Sequence, residues 1–553
     1  MLLVRFSLLS ALVLAVWTRE RIHLEPGQRL HDETSPWKLV RRARADESLD
    51  VAFAIKTADA TTLENLFWQI STPGSLLYRK HASLEEIGRI VSPKSSSLVE
   101  IERWLASEGG VDVETNCTYT INRDFLQCRI SCQSLERLFQ IELYHFRHPH
   151  APNETIIRSK KLYSVPSNIA SHLDFVGGLL RFSPVDDESS TSKISQPTSV
   201  QVSASHLRSM YNVSSNVGSN SSNKQAVAQF LKQFFHQTDV KEFFLLFGGS
   251  FEHRDKIDKV VGPDTGFAGI EASLDVQYIM SLGANISTWF WSTAGLHEKQ
   301  EPFLQWIMDV GNTSDVPFVF SVSYGDDEDS LDSSYMNRIN QEFMKQGARG
   351  ISLMFASGDD GTGCNGKSFV PSFPASSPYV TAVGGTEMSD ILFGHEVGNI
   401  ISGGGFSNVF SQPDYQKSAV TDFIGSSVHL PKSSYYNRSG RAYPDVSALS
   451  NGFTVVFNLI PTPGVAGTSC AAPTFSGIVS LVNDHLLQEG QSTLGFLNPL
   501  LYQNPTALHD ITDGCNEGCQ ETGFCSQKGW DPVTGYGSPN YPTLLEIAKK
   551  NYS

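Results

Sequence analysis

The chain has 553 residues, of which 40% are hydrophobic and 18% are charged. A chain of this length exceeds what one hydrophobic core supports, so we expect more than one domain. The formal net charge of −16 at pH 7, without a basic stripe, excludes the usual electrostatic footprint of a nucleic-acid-binding protein.

The first residues are typical of a secretory signal peptide. An apolar run from Phe6 to Trp17 lies between Arg5 and Arg19; it is too short to span a bilayer but fits a signal-peptide core. We therefore predict a signal peptide at residues 1–18 and no membrane span. Eight cysteines and several N-x-S/T sequons fit the same route. The sequons fall at Asn116, Asn153, Asn212, Asn220, Asn285, Asn312, Asn437 and Asn551, and we take Asn212, Asn220, Asn285, Asn312 and Asn437 as candidate glycosylation sites.

Residues 19–182 mix helical and strand patterns. The stretch 83–110 predicts two amphipathic helices with a turn at Ser92–Pro93, and residues 124–139 predict a strand followed by a helix. The polar segment 183–199 is the clearest linker in the chain and a predicted cleavage region. We thus divide the chain into a domain at 19–182, a linker at 183–199 and a domain at 200–553.

After the linker, short apolar runs end in Gly- or Ser-rich turns. They read "EFFLLFGG", "VPFVFSVSYG", "RGISLMFASGD" and "YVTAVGG", beginning at residues 242, 316, 349 and 379. With helical segments between several of them, this pattern predicts strands of a parallel α/β sheet. The functional residues of such a sheet lie at the carboxyl ends of its strands.

A predicted helix at 269–283 carries two acidic residues, Glu271 and Asp275, one turn apart on the same face. A solvated acidic face is the simplest interpretation of such a pair. However, like charges at this spacing destabilise a helix, and Ala272, Ser273 and Leu274 do not belong to an exposed face. If the pair is buried, coupling should split the two carboxyl pKa values. Asp359 follows an apolar run, either as a functional strand-end residue or as an ordinary turn residue.

The stretch "VAGTSCAAPTFSG" (465–477) presents Ser469 among small residues. It is either a nucleophile at a helix start or a tight packing turn. A subtilisin-type triad would need a histidine base, but the chain has no His-Gly pair; an aspartic protease would need a second copy of the Asp264–Gly266 motif. Residues 361–368 match the letters of a phosphate-binding P-loop, yet three prolines follow where the helix must begin, so we reject that match.

Three further segments contain candidate binding residues. Asp326 and Asp327 follow a predicted strand and either form a solvated loop or attract a cation. Gly403 and Gly404 either make turns or let an extended peptide lie alongside. Asp510 and Asp531 lie on Gly-rich loops that suit a hard cation such as calcium, although EF-hand spacing is absent.

Several motifs together resemble one family. "GTSCAAP", at the serine, combines with "EASLD", "SGDDG", "ISGGGFSNVF", "RAYPDVSAL" and "GWDPVTGYG", and "HLDFVGGLLRF" (172–182) extends the similarity upstream. This set resembles the sedolisins, or serine-carboxyl peptidases. The resemblance implies a subtilisin-like α/β catalytic domain with a parallel sheet. An α/β propeptide domain, ferredoxin-like with an antiparallel sheet, would precede it, inhibit it and assist its folding.

The resemblance also implies roles for individual residues. Ser469 would be the nucleophile, Glu271 its general base, Asp275 the residue that orients the base, and Asp359 the oxyanion-hole residue. The expected substrate-binding residues are Ser323, Tyr324, Gly325, Asp326, Asp327, Gly403 and Gly404. One structural calcium ion would be held by the carboxylates of Asp510 and Asp531 and the carbonyls of Ile511, Gln527 and Gly529. The implied disulfides are Cys117–Cys128, Cys364–Cys519 and Cys515–Cys525, with Cys132 and Cys470 free.

The family members that this chain resembles remove tripeptides from free N-termini in the lysosome, and we expect the same of a zymogen that activates itself at acid pH by a cut near residues 195–200. Its partners would be peptides with a free N-terminus and its own propeptide.

A glutamate base suits acid pH, because a histidine, with a pKa of about 6.5, would be protonated there. Asp360, Cys470, Ala466 and Gln527 depart from the family pattern. A sedolisin endopeptidase and a catalytically inactive secreted scaffold are the alternatives.

Overall fold

The computed structural model of the chain describes residues 20–32, 35–149, 155–182, 201–293, 302–390, 394–427, 429–519, 521–550 and 552. The predicted signal peptide, the linker with its cleavage region, and the sequons at Asn153 and Asn551 lie outside these residues. None of the helices within them is both long and apolar enough to cross a membrane.

The N-terminal domain is built on antiparallel sheets covered by helices. Its helices are α1 Ala60–Ser71, α2 Leu84–Val91, α3 Ser95–Gly109, α4 Val113–Asn116, α5 Cys132–Phe139 and α6 Ser167–Ala170. Its strands are β1 Arg21–Ile22, β2 Lys38–Arg42, β3 Ser48–Ile55, β4 Cys117–Tyr119, β5 Phe125–Ser131, β6 Leu143–Arg147, β7 Thr155–Ser159, β8 Val165–Pro166 and β9 Leu173–Gly177. A four-stranded sheet has the order β4-β5-β3-β9, and a second sheet has the order β2-β6-β7.

The predicted elements of this domain are confirmed. Helices α2 and α3 flank the expected turn, and α2 begins at a capping box in which Ser83 and Glu86 satisfy each other's backbone N–H groups. Strand β5 runs directly into α5, as the sequence predicts. The antiparallel sheets agree with the propeptide architecture implied by the family resemblance.

The C-terminal domain is a helix-covered sheet whose strands are mostly parallel. Its helices are α7 Ala204–Met210, α8 Gln237–Phe247, α9 Ile270–Leu282, α10 Pro302–Gly311, α11 Ser333–Ala348, α12 Lys417–Ser426, α13 Thr468–Gln488, α14 Asn498–Gln503 and α15 Tyr541–Lys549. Its strands are β10 Lys224–Gln229, β11 Lys259–Val261, β12 Ser287–Ser292, β13 Val319–Val322, β14 Asp326–Asp327, β15 Ser352–Ala356, β16 Ser372–Phe373, β17 Thr381–Met388, β18 Glu396–Gly398, β19 Gly405–Ser411, β20 Gly440–Tyr443, β21 Val446–Leu449, β22 Phe453–Phe457, β23 Ile460–Val465, β24 Leu508–His509, β25 Cys515–Glu517, β26 Thr522–Cys525 and β27 Ser538–Pro539.

The main sheet has eight strands in the order β11-β12-β10-β13-β15-β17-β18, with β21 paired to β17. All its pairings are parallel except that of β17 with β18. Helices α9 and α13 pack against each other so closely that a Cβ on Gly477 would lie 2.6 Å from the Gly283 nitrogen. Both helices are buried almost throughout, so together with the strands of the sheet they form the main hydrophobic core of this domain.

One predicted strand is wrong. The run "EFFLLFGG" belongs to helix α8, and the strand that precedes it is β10, "KQAVAQ". The spacing explains the error: Asp239, Val240, Phe243 and Phe244 are buried at helical intervals, whereas Leu245 is 77% exposed. The other three runs supply β13, β15 and β17.

The two domains meet along α11 of the C-terminal domain. Arg338 and Lys345 on this helix both pair with Asp124 of the N-terminal domain; the Arg338 Nη2 to Asp124 Oδ2 distance is 2.8 Å. Glu342, one turn away, pairs with the same two cations. All four side chains are almost fully buried, so separating the domains would expose an ion-pair network as well as apolar side chains.

The three disulfides of the structure are Cys117–Cys128, Cys364–Cys519 and Cys515–Cys525. These are the pairings that the family resemblance implies. Cys132 and Cys470 are free thiols, and both are buried.

Candidate active site

Helix α9 places Asp275 in a fully buried position under the carboxyl edge of the sheet. The Ser323 hydroxyl, just after β13, donates to Oδ1 of Asp275 at 2.8 Å. The Gln229 side-chain amide, the last residue of β10, donates to Oδ2 at 2.5 Å. Burial raises the pKa of Asp275 well above its usual range, although both hydrogen bonds oppose that shift.

Glu271 lies in the first turn of the same helix and is only 8% exposed. This burial excludes the solvated acidic face that the spacing of Glu271 and Asp275 also allowed. Two carboxyl groups one turn apart in a buried helix cannot both ionise easily, so the pair should hold a proton between them under acidic conditions.

Ser469 occupies the second position of α13 and is partly exposed. The residue before the helix, Gly467, has a φ of 146°, and a Cβ there would lie 2.7 Å from Oδ2 of Asp359. Glycine is therefore required for the approach of the Asp359 carboxyl group to the start of this helix. Ser469 is thus a serine at a helix start, as one interpretation of the sequence predicts, and the small residues before it serve close packing.

Asp359 follows strand β15 and is fixed to the same helix start. Its Oδ1 accepts hydrogen bonds from the Thr468 backbone N–H at 2.6 Å and from the Thr468 hydroxyl at 2.8 Å. Two donors on one oxygen leave Oδ2, on the side of Gly467, as the oxygen that would carry a proton. The carboxyl group of Asp359 is therefore bonded to the residue that immediately precedes Ser469 on α13.

Glu271, Asp275 and Asp359 all lie near the buried thiol of Cys470. Burial raises its pKa well above the usual range, and the negative charges of Glu271, Asp359 and Asp275 raise it further. Three acidic side chains from two different segments thus converge around the residue next to Ser469. The structure therefore brings together all four residues to which the resemblance assigns catalytic roles.

The expected substrate-binding residues have several different environments. Ser323 bonds to Asp275, and the Tyr324 hydroxyl donates to Oε1 of Gln229 at 2.9 Å, so both buttress the carboxyl pair. The N–H groups of Gly403 and Gly404 donate to the carbonyls of Gly358 and Gly361. The backbone that lies alongside these two glycines in the structure is therefore the chain's own.

Gly325, Asp326 and Asp327 form the edge next to this site. Asp326 and Asp327 pair in antiparallel fashion with β16, and a Cβ on Gly325 would lie 2.8 Å from the Ser372 hydroxyl. Burial raises the pKa of Asp327, and the charges of Asp329 and Asp360 raise it further. The guanidinium of Arg29, from the N-terminal domain, lies 3.6 Å from Asp329 and lowers the pKa of Asp327.

The expected calcium ligands lie on two neighbouring loops. Asp531 is fully buried and its Oδ2 accepts from the Gln527 N–H, while Oδ2 of Asp510 accepts from the Gly529 N–H at 2.9 Å. Both carboxylates therefore hold the same short loop. In the described part of the chain, no hydrogen-bond donor reaches the carbonyls of Ile511, Gln527 or Gly529. This set of oxygen atoms fits a hard cation.

The five candidate glycosylation sites are all accessible at least in part. Asn212 is exposed, and Asn220, Asn285, Asn312 and Asn437 are half-buried.

Two site residues escape sequence reasoning. Gln229 bridges Asp275 and Tyr324 from the end of β10, and Thr468 anchors Asp359. A polar residue that ends an apolar strand is the signal that points to Gln229. Thr468 has only its place beside Ser469 to mark it.

Comparison with known proteins agrees with this geometry. Residues 35–182 match the pro-kumamolisin activation domain, and residues 294–493 match the subtilase family. The chain is 48% identical to tripeptidyl-peptidase 1 of Mus musculus, over 98% of each chain. It is also 48% identical to tripeptidyl-peptidase 1 of Homo sapiens, over 94% of this chain and 95% of that one.

Among solved structures, a Pseudomonas sedolisin, a serine-carboxyl proteinase complexed with pseudo-iodotyrostatin, matches with a TM-score of 0.50 and 21% identity. The match covers 64% of this chain and all of the other. At that identity the match supports the fold alone. The family assignment rests on the two tripeptidyl-peptidase 1 relatives. The chain belongs to the sedolisin family of serine-carboxyl peptidases and has the two-domain organisation of its zymogens.

Proposed function

We propose that this peptidase removes tripeptides from the free N-termini of peptides at acid pH, with Ser469 as its nucleophile. The main support for this chemistry is that Glu271, Asp275 and Asp359 lie near the start of α13, around the residues on either side of Ser469. Asp359 is bonded to Thr468, and all three acidic side chains lie near Cys470. The relatives named tripeptidyl-peptidase 1 support the proposed tripeptide product. The deciding assay compares the processed protein on matched free and N-blocked tripeptide reporters at acid pH.

In the proposed acylation step, Ser469 Oγ attacks the scissile carbonyl carbon while Glu271 takes the hydroxyl proton. The proton then passes to the leaving amine as the peptide bond breaks, and an acyl-enzyme remains. Water repeats the sequence to release the tripeptide and restore the serine. Asp275, whose pKa is raised by burial, holds a proton beside Glu271 and so helps Glu271 to stay available as a base in acid.

Asp359 has the opposite requirement, because a group that stabilises an oxyanion must donate a hydrogen bond. Thr468 already donates twice to Oδ1, so the donated proton belongs on Oδ2. An ionised Asp359 would repel the developing negative charge. Activity should therefore fall as the pH rises and this carboxyl group loses its proton.

The variant Asp359→Asn tests that role. An amide stays a neutral donor at every pH, so the alkaline fall in kcat/KM should flatten relative to the wild type, with the profile measured from pH 3 to 7. Asp360→Asn, at the exposed neighbouring carboxylate, is the matched control and should keep the fall. An unchanged alkaline limb in Asp359→Asn would reject the assignment.

Release of tripeptides also requires recognition of the substrate ammonium. We assign this to Asp326 or Asp327 at the edge of the site, because a buried ammonium needs an anionic partner. A cation of the N-terminal domain, Arg29, already acts on this acidic loop in the zymogen. The propeptide would thus place a positive charge near the place where a substrate brings its own.

Single Asp326→Asn and Asp327→Asn variants should discriminate between substrates. The residue that binds the ammonium should lose about tenfold or more in kcat/KM on free-amine reporters, since a charge-assisted hydrogen bond is lost, with little change on N-blocked ones. Equal losses on both reporters from both variants would refute this assignment. Efficient wild-type cleavage of N-blocked peptides would favour the alternative, an endopeptidase with an open cleft.

A structural calcium ion would be held by Asp510, Asp531 and the carbonyls of Ile511, Gln527 and Gly529. Its charge would offset the burial of Asp531, whose pKa is otherwise raised to about 8. Chelation should lower the melting temperature of the wild type, and calcium should restore it. Asp510→Asn should weaken that calcium dependence, whereas exposed Asp414→Asn should not. A melting temperature insensitive to calcium in the wild type would remove the ion from the proposal.

We further propose the lysosome as the working compartment, reached through the secretory pathway. The predicted signal peptide, the sequons and the acid chemistry of the site support this. The inactive secreted scaffold remains the alternative from a different class, and the acid-pH assay of the processed protein decides against it if turnover is found.

A further inference from the structure

The loop between α1 and α2 of the N-terminal domain inserts a histidine into the C-terminal domain. His81 fits into a slot between two glycines, Gly350 and Gly495, whose φ angles are +84° and +65°. A Cβ on Gly350 would lie 2.2 Å from His81 Nδ1, and a Cβ on Gly495 would lie 3.2 Å from Nε2. The slot therefore exists because side chains are missing at both positions.

The backbone on both sides of His81 is tied to the C-terminal domain. The Arg79 guanidinium donates to the carbonyls of Ser492, Thr493 and Ala548. The Ala82 N–H donates to the Ala348 carbonyl at 2.9 Å. With anchors two residues before it and one residue after it, the imidazole cannot leave the slot unless this loop undocks.

The slot is unfavourable for a charged imidazole. Burial, followed by the positive charge of Arg79, lowers the pKa of His81 to about 4. Its Nε2 is buried and has no hydrogen-bond partner among the described residues. Among the residues that the structure describes, no acidic side chain offsets a positive charge on His81.

The charged groups of the elements around the slot have other partners. Arg349 donates to the carbonyls of Val310 and Thr313, and Glu489 pairs with Lys549. On its own loop, Lys80 adds a second positive charge to that of Arg79. These surroundings leave the docked imidazole neutral.

The carboxyl groups of the same interface respond differently to acid. Burial alone would raise the pKa of Asp124, but Lys345 and Arg338 lower it to about 2, so its pairing survives moderate acidity. Burial raises the pKa of Asp174, and it raises that of Asp309 to about 6. Protonation of these two carboxyl groups favours the docked state as the pH falls. Of these groups, His81 is the one whose protonation weakens docking as the pH falls from neutral to about 4.

We propose that His81 is an acid sensor of the zymogen: its protonation expels the α1–α2 loop from the Gly350–Gly495 slot and so loosens the propeptide. A free histidine titrates near 6.5, so over the interval down to about 4 the undocked loop binds a proton that the docked loop excludes. Docking then weakens by at most about tenfold per pH unit, and by about 40-fold between pH 6.5 and 4.5. The inference rests on the zymogen organisation and does not require the tripeptide specificity proposed above.

The test uses the full-length precursor in two forms. In the active chain, the pH midpoint of self-processing is measured for the wild type and for His81→Gln, which fills the slot but stays neutral. In chains that also carry Ser469→Ala, hydrogen exchange of residues 72–83 and 345–352 follows undocking without processing. We expect His81→Gln to lower both pH midpoints by about one unit, because glutamine cannot take up the proton that weakens docking.

His172→Gln, at a half-buried histidine of the same domain, is the control and should leave both midpoints in place. Unchanged midpoints in His81→Gln would overturn the proposal. If the His81→Gln precursor does not fold, the pKa of His81 itself is measured instead. It is titrated by NMR in histidine-labelled precursor that carries Ser469→Ala as its only substitution. A His81 pKa above 6 in the docked state would equally overturn it, and a value below 5 would support it. Failure of the proposed peptidase function would instead appear as processing that persists in Ser469→Ala.

Discussion

Replacing Ser469 with alanine is expected to abolish both peptide turnover and self-processing. Every step of the proposed reaction forms or breaks a bond to Ser469 Oγ, so the carboxyl groups around it would have nothing to activate. Removal of the nucleophile from serine peptidases costs at least about 10⁴-fold in kcat. The measurement is kcat on a free-amine tripeptide reporter, together with gel analysis of the precursor after acidification.

The matched control is Ser476→Ala, at a buried serine two turns further along the same helix. It should be secreted, processed and active at close to wild-type levels. Unfolding curves of all three proteins exclude a folding defect as the cause of inactivity. Ser469→Ala with residual activity above one-hundredth of the wild type would show that another residue is the nucleophile.

Glu271→Gln is expected to lower the acylation rate by about 10³-fold, in the range typical of a lost general base. Glutamine keeps the shape and the burial of the side chain but cannot accept the Ser469 proton. Substrate binding should change little, because only the transition state needs the transfer. Single-turnover kinetics at acid pH separate the two effects.

The control for this variant is Glu546→Gln, at an exposed glutamate of α15, which should behave like the wild type. A Glu271→Gln enzyme that loses affinity but keeps its acylation rate would contradict the base assignment. In that case Glu271 would be a substrate-binding residue, and Asp275 would have to be tested as the base.

The local sequence pattern was sufficient to predict the helices and strands whose hydrophobic periodicity is unambiguous. Helix α9, helices α2 and α3, and the strands that precede Ser323 and Asp359 all lie where the sequence predicts them. The run at residues 242–249 forms a helix and not the predicted strand, because a short apolar stretch does not reveal its period. Only the contacts of α8 with the core show which of its residues face inward.

The site itself could be predicted only as a set of roles carried by the family resemblance. Sequence spacing places Glu271 one turn from Asp275, but nothing local shows that Gln229 and Ser323 reach Asp275 from two different strands. In the same way, the slot for His81 exists only once Gly350 and Gly495, almost 150 residues apart, are brought together by folding. Burial and long-range contact, which set these pKa values, are properties of the tertiary structure.

The ion-pair network on α11 has a consequence for the enzyme after maturation. When the propeptide departs it takes Asp124 with it, and Arg338, Lys345 and Glu342 remain on the helix. Two cations and one anion then face solvent together with aromatic side chains that the propeptide had covered. Precursor and mature enzyme therefore differ in an epitope that is cationic and partly aromatic, and a binder selected against this face of α11 would recognise the mature form alone.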